Sequence, residues 1–470
     1  MSTVPASVLD RLSDIVGPDG AVTGADCEPY LIDERGRYRG ASAMVLRPAT
    51  VQQVATVVEV CAHERIGIVP QGGNTGLVGG SVPDASGDQV VVSTTRLNRV
   101  RAIDVDNFTI SVDAGCILET IQAAAAAADR LFPLSLASEG SCQIGGTIST
   151  NAGGTGVLRY GNMRELVLGL EVVLPNGEVW NGMHGLRKNN TGYDLKQLFV
   201  GAEGTLGIVT AATLRLFPQP TESTTYFAAV RNVDAAVEIL AGLRRASSDR
   251  VAGYEYIHRA CLDLVFQHIA DVRDPLPDRF THYVLAELEC SADSLETLFQ
   301  AQIEAGLIED AVVAASAAQR KQLWTLRESI PIAQKRAGGG LKHDIGVPIS
   351  NVASFLQQAE SLVRQTVPDA MIIAFGHLGD GNIHYNIAIP PDVAPEHFGQ
   401  TVQPITDRIH DLAMRLGGTF SAEHGIGQLR KPELLRYRSS IELELMRSVK
   451  RALDPLEIMN PGKLIDSNIT

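Results

Sequence analysis

PQGGNTGLVGG, from Pro70 to Gly80, follows the apolar run RIGIVPQ and sets glycine at 72, 73, 76, 79 and 80 around Asn74 and Thr75. A loop of this composition exposes successive backbone N–H groups, which together form a concavity suited to phosphate. From this stretch alone, a tight turn with spare glycines reads about equally well. The stretch has neither the G-x-x-x-x-G-K-[ST] order of a nucleotide-hydrolysing loop nor the G-x-G-x-x-G order of a Rossmann unit.

Three further stretches share its character: EGSCQIGGTISTNAGG (139–154), RKNNTGYDLKQLFVGAEGTLGIVT (187–210) and the terminal NPGK (460–463). Several separate Gly/Ser/Thr/Asn loops suggest a long ligand lying across loop tips, with hydroxyls and amides meeting its phosphates and ring edges. A dinucleotide has that length. Between them, from 42 to 218, short β-branched runs such as QVVVST, FTISVDAG and LGLEVVLPNG alternate with two helical periods, VQQVATVVEVCAHE and ILETIQAAAAAADR. From 219 to 418 glycine thins out, and helices such as VDAAVEILAGLRRAS alternate with strands such as THYVLAELEC and DAMIIAFGHLG. The last stretch, 419–470, holds SAEHGIG, a charged helix (SIELELMRSVKRALD) and the stop signal MNPGKL. The pattern predicts an α+β protein of three segments: a ligand-binding domain over 1–218, a second domain over 219–418, and a C-terminal segment over 419–470.

The chain has 470 residues, 45% hydrophobic and 20% charged, ample for more than one buried core. Its net charge of −14 argues against a nucleic-acid partner and leaves small anionic substrates open. Six cysteines without a C-x-x-C pair read as reduced, buried thiols in a reducing compartment. MSTVPASVLDRLSDIVG has helical spacing and early acids in place of a basic-then-apolar leader, and no apolar run reaches about 18 residues, so the expectation is a cytoplasmic protein.

Chemistry concentrates in two islands, GHLGDGNIHYN (376–386) and SAEHGIG (421–427). His377, His384 and Glu423 supply three ligands for a divalent metal with an open position, and His424 is a spare imidazole able to move a proton. The turn around Asp380 lets both histidines converge, although an odd spacing in a straight strand would part them. For any one histidine the blander reading, a hydrogen-bonded structural side chain, is the commoner case. The ligand types suit Zn²⁺ first, with Mn²⁺ and Co²⁺ as alternatives. The same His/His/Glu set would equally serve a metal-dependent hydrolase.

The motifs, in this order and over nearly the whole chain, resemble the FAD-binding domain and partner domain of the vanillyl-alcohol oxidase superfamily. Within it they resemble the FAD-linked D-2-hydroxyacid dehydrogenases of the D-2-hydroxyglutarate and D-lactate type. That resemblance implies an FAD-binding domain over 1–218, a substrate (cap) domain over 219–418 carrying most of the metal site, and a C-terminal segment packing on the FAD domain. It implies that Pro70, Gly72, Gly73, Asn74, Thr75, Gly76, Gly79 and Ser81 hold the pyrophosphate. Ser141, Gly145, Thr147, Thr150, Asn151 and Gly153 are expected along the flavin, Glu203, Gly204 and Ile208 on the adenine side, and Asn460 back at the isoalloxazine. Many superfamily members tether FAD through a histidine in R-x-G-G-H; here the order is Gly72-Gly73-Asn74, which implies non-covalent FAD.

By the same resemblance Arg327, Lys342 and Asn386 face the substrate, the first two gripping carboxylate. Without it they read as a pair of solvated cations and a strand amide. Pro331 stands where D-2-hydroxyglutarate dehydrogenases can carry a hydroxyl residue, a departure that bears on the C5 carboxylate. A 2-hydroxy acid must lose its hydroxyl proton as the Cα hydride leaves for flavin N5; a chelated cation lowers that hydroxyl's pKa, and His424 is the general base. If His424 ligates instead, the base lies elsewhere. The expected reaction is D-2-hydroxyglutarate to the 2-oxo acid, with D-lactate or another D-2-hydroxy acid as runner-up. Electrons would pass to electron-transfer flavoprotein or a quinone, and a homodimer is the default assembly. A non-catalytic flavin subunit that relays electrons is the remaining class.

Overall fold

The computed structural model describes residues 4–389 and 395–467, without the side chains of 395–403. Residues group into two units: Met1–Gly153, Gly161–Gln219 and Glu423–Thr470 form the first, Gly154–Tyr160 and Pro220–Ala422 the second.

In the first unit the strand Gly67–Gln71 pairs in parallel with Gln89–Ser93, which pairs in parallel with Val45–Leu46; Ala21–Val22 closes this sheet antiparallel. Val90, Val91 and Val92 are buried on both faces, the mark of a covered parallel strand. The helix Val51–Glu64 starts where the Thr50 side chain accepts from the Gln53 N–H, and it lays Val54, Val57, Val58 and Cys61 on this sheet at helical spacing. A second, antiparallel sheet runs Val100–Asp104, Thr109–Asp113, Ile208–Arg215, Val167–Val173, Val179–Gly182. The C-terminal helix Ser440–Leu453 opens with a Ser439/Glu442 capping box. Beyond it the chain returns to the first strand: Asn460 N–H donates to the Ile68 carbonyl at 2.7 Å, beside a Met459–Ile68 bridge. Buried Lys450 ties this return by donating to Asp454 and to the Thr205 and Met459 carbonyls.

The second unit is built on an eight-stranded sheet among the described residues, in the order Ile308–Val313, Thr224–Val230, His282–Leu288, Val251–His258, Ile372–Gly376, Asn382–Ala388, Gly340–Leu341, with Asp344–Gly346 also on Asn382–Ala388. Both faces are covered. Tyr226, Ala228 and Val230 enter one core while Phe227 and Ala229 enter the other, as the period of two requires. The helix Ala317–Arg336, capped by Ser316, packs on the second of these faces with Leu323, Leu326 and Ile330.

Two boundaries depart from the continuous 1–218 and 219–418 segments. Residues 154–160 join the second unit, because Leu158 packs on its core and Arg159 and Tyr160 both bond Glu289. The second unit also continues to Ala422, since Thr419 and Ser421 bridge to Gly346 and Asp344.

Candidate functional site

The Pro70–Gly80 loop leaves the C-terminal end of a buried parallel strand, where an α/β sheet customarily receives ligands. Among the described residues, the N–H groups of Gly73, Asn74, Thr75 and Gly76 donate to no protein acceptor. Asn74 takes a left-handed φ of 55°, and its side-chain amide donates to the Pro29 and Ile32 carbonyls. Ser81 Oγ in turn donates to Asn74 Oδ1 at 2.8 Å. Asn74 and Ser81, two of the side chains expected at a phosphate, are thus bonded to the chain and fix the loop; the backbone supplies the donors.

The hydroxyls of the second loop behave likewise. Thr147, Thr150 and Ser141 donate to the carbonyls of Ile144, Gly146 and Ser138 within three or four residues, the usual local bond of such side chains. Asn151 Oδ1 accepts from the Arg164 N–H at 2.9 Å. Gly73 cannot carry a side chain here, since its Cβ would lie 2.0 Å from the Ser141 carbonyl oxygen, whereas a Cβ at Gly76 or Gly146 would meet open space. Gly145 is pressed against Ala114, and Gly79 against the Tyr38 ring. Gly153 closes the stretch at the unit boundary.

The buried carboxylate of Glu203 accepts from the N–H groups of Ile426 and Gly427, both at 2.7 Å, so it pins the SAEHGIG loop. Burial raises its pKa, while these two N–H donors pull the other way. Gly204 follows with φ 71°, its face against Pro70, and Ile208 is buried in the first core. Asn460 donates to the Gly80 and Glu203 carbonyls, and its Oδ1 is buried with no hydrogen-bond partner. An orphaned acceptor beside a row of unbonded N–H donors and open glycine faces fits a dinucleotide cofactor.

In the second unit, His377 and His384 flank a turn between antiparallel strands. Asn382 N–H donates to the His377 carbonyl and to Asp380 Oδ1, both at 3.1 Å, and the two rings lie 5.8 Å apart, edge to face. Their convergence follows from this reversal. His377 Nδ1 is bonded to Glu255 Oε1 at 2.5 Å. Arg327 is buried with its Nε on Glu255 Oε2 at 2.5 Å and its guanidinium over the Phe375 ring. Burial alone would raise the Glu255 pKa; Arg327 and His377 outweigh it and hold the carboxyl well below its ordinary range. Asn386, expected at the substrate, accepts from the His343 N–H and donates to Gln334 Oε1. Lys342 is half-buried beside them, between the strands Gly340–Leu341 and Asp344–Gly346.

Asp344, His384, Glu423 and His424 each offer one ligand atom, and these atoms all lie within 4.8 Å of one another. Donors on one ion with bonds of about 2.1 Å sit within roughly 4.2 Å of each other, so slight side-chain rotation closes the set. Asp344 is the register partner of His384 across the strand pair. Its carboxylate accepts from Asn382 Nδ2 at 2.9 Å and from the Ala422 N–H at 3.1 Å, which places Glu423 as the next residue along. Glu423 Oε1 and His424 Nε2 are 3.6 Å apart. Relative to the expected trio of His377, His384 and Glu423, this cluster adds Asp344 and His424, while His377 is turned by Glu255. Two imidazoles and two carboxylates suit Zn²⁺, Mn²⁺ or Co²⁺, so the residues present fit a divalent metal.

Sequence reasoning missed Asp344 and Glu255. Each is one acid on a strand, and its meaning comes from partners 38 or more residues away; no local spacing announces it.

The chain matches the family model described as FAD linked oxidases, C-terminal domain, over residues 219–464, and the FAD binding domain model over 42–182. It is 37% identical to the D-2-hydroxyglutarate dehydrogenase of Xanthomonas citri pv. viticola, covering 94% of this chain and 93% of that one. It is 34% identical to the mitochondrial D-2-hydroxyglutarate dehydrogenase of Arabidopsis thaliana, covering 100% of this chain and 83% of the other. Among solved structures, p-cresol methylhydroxylase with substrate bound superposes with a TM-score of 0.74 at 18% identity, over 98% of this chain and 97% of that chain, which establishes a shared fold.

Proposed function

The chain belongs to the FAD-linked oxidases, as an FAD-dependent D-2-hydroxyacid dehydrogenase of vanillyl-alcohol oxidase fold, and on that premise we propose that it oxidises D-2-hydroxyglutarate with the aid of a divalent metal. The observation that supports the metal is the close approach of His384 and Glu423, whose ligand atoms lie within 4.8 Å of each other and of those of Asp344 and His424.

Bound FAD would supply the hydride acceptor, and a divalent ion held here would supply Lewis acidity toward the substrate hydroxyl. The remaining work falls to side chains of this protein. His384 and Glu423 hold the ion, joined by His377 through Nε2, the nitrogen left to ligate when Nδ1 donates to Glu255. Asp344, gripped by Asn382 and the Ala422 N–H, fixes the strand and loop that present His384 and Glu423. His424 takes the hydroxyl proton. Arg327 presents its two Nη groups to the substrate carboxylate: among the described residues its Nε is the nitrogen bonded to protein, and a planar fork matches a carboxylate. Lys342 adds a point charge, and Asn386 lies on the strand that carries His384.

Asn74 stands where a tethering histidine would be, and FAD is held without a covalent bond. Zn²⁺ is the first choice of metal. Electron-transfer flavoprotein or a quinone takes the electrons onward, and the assembly is a homodimer. Six buried free thiols favour a reducing compartment, the cytoplasm.

The test is kcat/KM with a dye acceptor for the D and L enantiomers of 2-hydroxyglutarate, lactate and malate. D-2-hydroxyglutarate is expected to rank first. Preference for D-lactate would favour the runner-up, for which Pro331, sitting one helical turn after Arg327, is the supporting observation. Oxidation of L-acids alone rejects the reading.

A further inference from the structure

We propose that Glu255 is a positioning residue that locks the substrate-gripping arginine and a metal-binding histidine to one another. This rests on the function proposed above, since it assigns Arg327 to substrate and His377 to the metal. Glu255 lies at mid-strand in Val251–His258, and its side-chain neighbours by alternation are apolar: Ile257 points to the same face, into a core of Leu326, Ile330 and Phe375. A carboxylate in such surroundings, with no solvent exposure, is there at a cost in desolvation. A leucine would pack this face at least as well. Replacement of buried ion pairs by apolar residues is often neutral or stabilising, so stability is a poor reason for this acid to be here.

Its two oxygens are divided between two partners. Oε2 accepts from Arg327 Nε and Oε1 engages His377 Nδ1, each at 2.5 Å. The first bond seizes the guanidinium by its inner edge, and the Phe375 ring, 4.8 Å beneath, fixes its plane. The outer edge then has one orientation. The second bond selects the tautomer of His377 with hydrogen on Nδ1, which makes Nε2 the lone-pair nitrogen. Phe375 also lies 5.0 Å from the His384 ring, so the residue beneath the arginine touches the second imidazole as well. Displacing the carboxylate therefore releases both groups at once: substrate affinity and metal affinity are set by the same atom pair.

The variants are Glu255→Gln and Glu255→Asp, compared with the FAD-loaded wild-type protein. Five quantities are measured: Zn²⁺ affinity by competition with a chromogenic chelator, kcat and KM for D-2-hydroxyglutarate, FAD content by absorbance, and melting temperature. For Glu255→Gln, Zn²⁺ binding is expected to weaken about 10- to 100-fold and KM to rise on the order of 10-fold, with FAD content unchanged. Glu255→Asp keeps the charge and withdraws its reach by one methylene; both quantities are expected to move in the same direction by less. A lower melting temperature with wild-type Zn²⁺ affinity and KM would mean a purely structural acid and overturn the proposal. If Glu255→Gln does not fold, the aspartate variant decides on the same two quantities. A wild-type protein that neither binds Zn²⁺ nor oxidises a hydroxy acid removes the reading of the site and this role with it; a wild type that does both, with unaltered variants, removes this role alone.

Discussion

In the first unit the Pro70–Gly80 loop offers backbone, and in the second Arg327, His377 and His384 offer side chains. Around Gly73 to Gly76 the side chains of Asn74 and Ser81 are bonded to one another and to their own chain, and a row of N–H groups is left to donate. In the second unit Glu255, Asp344 and His384 project from strands of a sheet that is eight-stranded among the described residues, and His377 projects from the turn beside it. Backbone donors recognise a cofactor that arrives with its own chemistry; side chains with tuned protonation are needed where protons and metal charge are handled. The two kinds of site should therefore fail independently.

Glu423→Ala carries the largest expected effect. Turnover should fall by at least about 10³-fold with loss of bound metal, while the yellow colour and FAD stoichiometry stay as in the wild type; loss of FAD would show that the two sites are one. His424→Ala comes next, with kcat down roughly 10²- to 10³-fold and metal content retained. Metal loss in that variant, read by elemental analysis, would make His424 a ligand and move the base elsewhere.

Gly73→Ala attacks the other site. With a Cβ 2.0 Å from the Ser141 carbonyl, the two loops must part. FAD occupancy should drop about 10-fold and stability by about 1–3 kcal/mol, with Zn²⁺ affinity unchanged. Retention of full FAD would show that the loop tolerates movement and that backbone geometry is not the determinant.

The smallest effect is in pH. Burial pushes His282 down to about 4 and lowers His258, and Tyr256 bonds the His282 ring at 2.8 Å. Both imidazoles resist protonation more when folded than when unfolded, so the unfolded chain takes up more protons between the ordinary value of 6.5 and about 4. Stability from this pair is complete above pH 6.5 and falls as pH drops through that window, by on the order of 1 kcal/mol after solvent screening. Melting curves between pH 7.5 and 4.5 should show it, and His282→Gln should flatten the slope; an unchanged slope would place the pH response in other groups.

The contrast also explains what could be read before the fold was known. Glycine-rich loops declare themselves locally, because backbone recognition needs glycine in a short run, and the His377–His384 and Glu423–His424 islands are equally compact. Helices such as Val51–Glu64 and Val233–Ala246 lie where their apolar periods and caps put them. The hold of Glu203 on the SAEHGIG loop was not legible, and Glu255 and Asp344 were passed over. Glu203 binds a loop more than 220 residues away, Glu255 binds His377 from another strand, and Asp344 meets His384 through strand register. The excursion 154–160 was missed for a related reason, since Leu158 finds its apolar partners in the core of the second unit, to which it belongs. Such roles are written in tertiary pairing, and a single acid carries no spacing signal.

Anaerobic addition of D-2-hydroxyglutarate to the FAD-loaded protein, with and without prior chelation, puts the metal's part in the chemistry to the test. The flavin absorbance should bleach within the dead time of manual mixing when metal is present, slow by about 100-fold or more after chelation, and recover on adding Zn²⁺. Bleaching at the same rate with and without chelator, or bleaching by the L-enantiomer alone, would contradict it.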